Sequence, residues 1–148
     1  MENSFHNKKI ILVFIICQII LALFAIYNDL IVNTFSQNGI EEFKSFQEKI
    51  ILVLVVAPLF ETLIFNLLLN EVFFKLTSKI IYCIILSSFF FSLIHYYSLT
   101  YVSFTFLAGL TFNGFYFWIR KDKGYKVAVL SVFLLHFNHN LIGVMLGK

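Results

Sequence analysis

Five apolar runs, each close to the length needed to cross a bilayer, account for most of this 148-residue chain: 10–32, 50–74, 80–97, 101–119 and 127–146. A helix needs roughly 20 apolar residues to span the hydrocarbon core. The runs are continuous and do not alternate, which argues against a transmembrane barrel. Charged residues make up 13% of the chain, whereas a soluble domain carries about 25%, so there is too little polar surface to cover a soluble core. Twenty Phe and a single Pro also argue against disorder. The expected fold class is all-α, a polytopic membrane helix bundle of about five transmembrane helices. Residues 1–148 are expected to form a single domain in the cell membrane, a multi-pass integral protein surrounded by membrane lipid.

The net charge of +3 would suggest nucleic acid if position were ignored. With five spans and the N-terminus inside, the inner segments hold Lys8, Lys9, Lys75, Lys79, Arg120, Lys121, Lys123 and Lys126, and the outer ones only Lys44, Lys49 and Lys148. That bias fits the positive-inside rule, N-in and C-out. The basic residues therefore read as topology determinants, and no nucleic-acid partner is expected. Lys8–Lys9 before an apolar run also matches the start of a signal peptide. The run is long for that role and no A-x-A site follows, so a retained first span is expected. Cys17 and Cys83 fall in different runs and imply no disulfide framework. The longest polar stretch is 33–49. Within it Ile40, Phe43 and Phe46 recur at spacing three, an amphipathic lead-in to the second helix. The short 98–100 turn makes the third and fourth helices antiparallel neighbours, and 120–125, with Gly124, reads as a basic inner loop.

Glu61 sits inside the second run. A carboxylate near mid-bilayer costs at least ~2.5–3.5 kcal/mol on insertion scales, so it marks a candidate functional site. Pro58, the only proline, lies three residues earlier. It removes one backbone donor and frees a carbonyl that must find a partner. His95 lies in the third run, and His136 and Asn140 lie four apart on one face of the last. His139 points partly aside, His6 lies near the terminus, and Asn66 and Asn138 are expected to bond across helices. A carboxylate with imidazoles around a wet pocket can activate water, Glu61 being the general base and an imidazole sharing or relaying the proton. His136 and Asn140 could donate to a developing oxyanion. Two histidines and a glutamate (Glu61, His95, His136) could instead hold zinc with an open position. A proton path is a further use for the same groups, though no paired inverted repeat supports transport.

Phe60-Glu-Thr-Leu-Ile-Phe-Asn66 resembles the first motif of the CAAX protease and bacteriocin-processing family (CPBP, or ABI). Phe91-Ser-Leu-Ile-His95 is similar to its F-x-x-x-H motif, Gly109 and Gly114 to its glycine-containing helix, and His136-Phe-Asn-His-Asn140 to its H-x-x-x-N motif. The resemblance covers a core at 50–146. It implies a helical intramembrane endopeptidase acting on a membrane-associated peptide or protein. Glu61 and His95 would activate water and His136 and Asn140 would stabilise the oxyanion; a metal-independent mechanism is expected, with no cofactor, and zinc is the alternative. The family's first motif is usually E-E-x-x-x-R, whereas here Thr62 and Asn66 replace the second Glu and the Arg. Four apart, they are expected to bond each other in place of an ion pair. The same departure motivates an alternative: a degenerate member serving as membrane scaffold or bacteriocin self-immunity protein.

Overall fold

The structure is a computed structural model that describes residues 2–32 and 45–146. Every element among them is helical. α1 spans Glu2–Val32. A long rod, 46–77, follows in five stretches: α2 (Phe46–Ile51), a π-helical stretch (Leu52–Val56), α3 (Ala57–Glu61), a second π-helical stretch (Thr62–Leu68) and α4 (Leu69–Thr77). α5 is Ile80–Leu93 and α6 is Leu99–Leu146. Gly124 breaks α6 in two at φ 80°, ψ 169°, a conformation that a side chain disfavours. Among the described residues three helical stretches are long and apolar enough to cross a membrane: Lys8–Tyr27, Leu52–Thr77 and Leu99–Leu146. Large apolar side chains such as Ile11, Leu12, Leu23, Phe60, Leu68 and Ile81 point outward. In water such a surface would be a liability; against lipid tails it is the natural exterior. The protein is an all-α membrane helix bundle.

α6 is the centre of that bundle. α1 and α5 both pack on it, and Leu21, Cys83, Phe112, Phe115, Tyr116, Ile119, Val132 and Leu135 form its core. Gln18 Nε2 of α1 donates to Leu135 O at 3.2 Å. Cys17 and Cys83 are both free thiols. The expected third span is shorter than the apolar run. α5 has 14 residues, or about 21 Å of rise, and stops at Leu93. His95 lies in the turn that follows, its N–H donating to Ser92 O at 3.0 Å. Ser98 Oγ then accepts from the Tyr101 N–H at 3.1 Å and caps the start of α6. The expected loop at 120–125 is also narrower: helix continues through Lys123, and Gly124 alone breaks it. Residues 33–44, with most of the expected amphipathic lead-in, lie outside the described residues; helix begins at Phe46.

Two polar assemblies tie the rod to α6. At one end Arg120 makes a forked pair with Glu71, Nε to Oε1 and Nη2 to Oε2 at 2.7 Å. Tyr116 Oη donates to Glu71 Oε1 at 2.7 Å. The guanidinium also lies 5.0 Å from the Phe74 ring centroid and 5.8 Å from that of Phe117. Such a bidentate, ring-stacked geometry suits Arg and not Lys. Deeper in the bundle the assembly is neutral. Asn66 Nδ2 and Asn70 Nδ2 both donate to Asn113 Oδ1, at 2.8 and 2.6 Å. Asn113 Nδ2 donates to Ser88 Oγ at 3.0 Å, and Ser88 Oγ to Ile84 O at 2.6 Å. The chain of bonds joins the rod, α6 and α5 with no formal charge.

α5 and α6 meet at Gly109. A Cβ there would stand 3.0 Å from Ser88 Cβ, 3.1 Å from Ser88 Cα and 3.1 Å from Phe91 Cδ1. At Gly114 a Cβ would meet nothing within 4 Å. Gly109→Ala should therefore push the helices apart and lower stability by about 1–3 kcal/mol, as overpacking does. Gly114→Ala should be neutral or stabilising by up to ~1 kcal/mol through helix propensity. Asn113→Ala strands the amides of Asn66 and Asn70 and should cost about 2 kcal/mol or more. Unfolding in mixed micelles by titrated denaturing detergent measures all three.

Candidate active site

Pro58 and the two π-helical stretches shape the turn that carries Glu61. In the first stretch the Ala57 N–H reaches back to Leu52 O, a five-residue step. In the second the Leu69 N–H reaches Ile64 O. Helix widened in this way is often found at functional sites. Glu61 closes α3 between the two stretches, and its side chain is 20% exposed.

Glu61 Oε2 lies 3.4 Å from His136 Nε2. His136 stands on the second limb of α6 and is buried. Its ring packs at 4.5 Å from the Phe112 centroid and 5.9 Å from that of Phe91. His95 joins the same group through Phe91. Their rings are 4.7 Å apart, and His95 Nδ1 is 2.8 Å from Phe91 O. A carbonyl can only accept, so Nδ1 carries the proton and Nε2 of the neutral ring is left as the basic nitrogen. No hydrogen bond or ion pair joins His95 directly to Glu61. Phe91 is a shared wall, its ring also 5.6 Å from Phe65 and 6.1 Å from Phe112.

Asn140, one turn beyond His136, donates from Nδ2 to Val53 O on the rod at 2.9 Å. Its amide thus meets the rod five residues ahead of Pro58. His139 turns away from Glu61. It lines a small cavity with Phe24, Tyr101 and Thr105, its Nδ1 buried without a hydrogen-bond partner. The side chain of His6 lies outside the described residues. Among the described residues no three His, Cys, Asp or Glu side chains form a group that could hold a metal ion. Glu61, His95 and His136 do not form such a group.

Thr62 and Asn66 do not bond each other, contrary to the expectation from their spacing. Thr62 Oγ1 is buried without a partner, and the Asn66 amide is taken by Asn113. An amide oxygen offered at 2.8 Å by a facing helix is a better acceptor than a hydroxyl one turn back on the same helix. Sequence reasoning also missed three supports of the site: Asn113, Phe112 and the Val53 carbonyl. Asn113 stands out in an apolar run exactly as Asn66 does, and gave a usable signal. Phe112 is one phenylalanine among twenty, and a backbone carbonyl leaves no trace in sequence.

A family model described as Rce1-like, type II CAAX prenyl endopeptidase Rce1-like, matches residues 46–142, about two thirds of the chain. The matched segment holds the rod, α5 and α6 through both His136 and Asn140, and leaves out α1. No curated protein and no solved structure gives a significant match. With Glu61, His95, His136 and Asn140 all inside the matched segment, the chain belongs to the Rce1-like family of type II CAAX prenyl endopeptidases.

Proposed function

We propose that this protein is an intramembrane endopeptidase that hydrolyses a peptide bond of a membrane-associated peptide or protein. The observation that carries the reading is the Glu61 carboxylate, set in an apolar rod and facing His136 Nε2 at 3.4 Å across the helix interface. A charge placed there at a cost to insertion, and met by an imidazole, is what general base catalysis requires.

In this reading Glu61 takes a proton from water. The hydroxide so formed adds to the scissile carbonyl carbon, and the carbonyl π electrons move to oxygen. His136 Nε2–H is the donor to that oxyanion. His95, with Nδ1 committed to Phe91 O, offers Nε2 to hold the attacking water. When the intermediate collapses the C–N bond breaks, and the proton held by Glu61 passes to the leaving amine. In this reading Asn140 acts by holding the two helices, with one N–H of its amide committed to Val53 O. The family description supplies the first substrate class to try, a prenylated CAAX peptide.

The protein reconstituted in lipid vesicles should cleave such a peptide. Glu61→Gln should lower kcat/KM by at least ~10²-fold, the usual scale of a lost general base, while detergent unfolding stays near wild type. Cleavage is expected to survive a zinc chelator. A folded Glu61→Gln variant that cleaves as fast as wild type would overturn the assignment.

A further inference from the structure

The Val53 carbonyl is released twice over. In an α-helix it would accept from the Ala57 N–H, four residues on. Here that N–H goes to Leu52 O instead. The widened register would hand Val53 to the next N–H, at residue 58, but residue 58 is proline and has none. In hydrocarbon such an orphan costs several kcal/mol. The partner it finds is Asn140 Nδ2 at 2.9 Å, supplied by the last limb of α6.

Position gives this bond its consequence. Pro58 is three residues before Glu61, and Asn140 is four after His136. Val53 itself is eight residues, about two turns, before Glu61, so the bond fastens the rod about two turns from Glu61 and α6 one turn from His136. A backbone acceptor fixed in the rod and a short amide on α6 leave little freedom in the distance between the two functional side chains. The dependence is also specific: Asn140 is needed because Pro58 and the π register together withdraw the backbone's own donors.

We propose that Asn140 is a positioning residue: its amide replaces the N–H missing at Pro58 and thereby sets the approach of His136 to Glu61. Only the catalytic consequence rests on the proteolytic reading; the replacement itself does not. Asn140→Ala leaves Val53 O unpartnered. Pro58→Ala restores an N–H that can reach it, so the two changes should be coupled.

The experiment is a double-mutant cycle on the full chain, read by the detergent-unfolding midpoint and, in vesicles, by kcat and KM separately. Asn140→Ala should lower the midpoint and reduce kcat roughly a hundredfold, the scale of a ~1 Å misplacement, with KM little changed. In the Pro58→Ala background the same Asn140→Ala change should cost much less in both midpoint and kcat. An equal midpoint loss in the two backgrounds would overturn the proposal. So would a rescued midpoint without a rescued kcat, which would return Asn140 to the oxyanion. If the wild type cleaves no prenylated or unprenylated peptide, the proteolytic reading fails, and the midpoint arm still decides whether Asn140 stands in for the Pro58 N–H.

Discussion

A polar group left unpaired in hydrocarbon costs several kcal/mol, and most of the architecture described above can be derived from that penalty. Asn66, Asn70 and Asn113 are buried and can be tolerated only if they find one another. They do so across the rod and α6, so the bonds that satisfy them also fix how the two elements face. The Val53 carbonyl obeys the same rule with a backbone group in place of a side chain. Interhelical bonds of this kind average only about 0.6 kcal/mol in membranes. Their stronger effect is on specificity, because any slip of the rod along α6 would orphan several groups together.

The helical membrane class was legible in the sequence because length and hydropathy act at low resolution. Runs at 10–32 and 50–74 correspond to α1 and the rod. The third run misled because hydropathy continues past the point where the backbone stops being helical. Ile94, Tyr96 and Tyr97 are apolar enough to extend the run, yet they belong to the turn that presents His95. Released from helical spacing, the His95 ring folds back on Phe91, whose far contact is His136.

The candidate site was legible as a list of residues and not as a set of contacts. Glu61 and His136 stood out because polarity in an apolar run is visible from sequence alone. The different roles of Gly109 and Gly114 did not, since both lie inside the same apolar run. Only the approach of Ser88 and Phe91 to Gly109 separates them. That approach matters to the site: the absent Cβ is what lets Phe91 sit between His95 and His136. The π register was equally invisible. It depends on which carbonyl each N–H selects, and Val and Leu have no preference that would announce it.

The replaced positions of the first motif acquire a physical explanation from the same rule. A buried ion pair must recover a large desolvation cost and often fails to. Here the rod's forked ion pair lies at its end, where the Glu71 and Arg120 side chains each remain 28% exposed. The interior next to Glu61 is left to neutral amides. Asn66 bonds Asn113 where the family pattern has an arginine, and Thr62 stands where it has a second carboxylate. Both charges are gone together, so neither is stranded. What remains at that depth is one carboxylate, Glu61, facing a histidine. The departure from the motif that the sequence resembles therefore strands no charge and leaves in place the residues that the proposed chemistry uses.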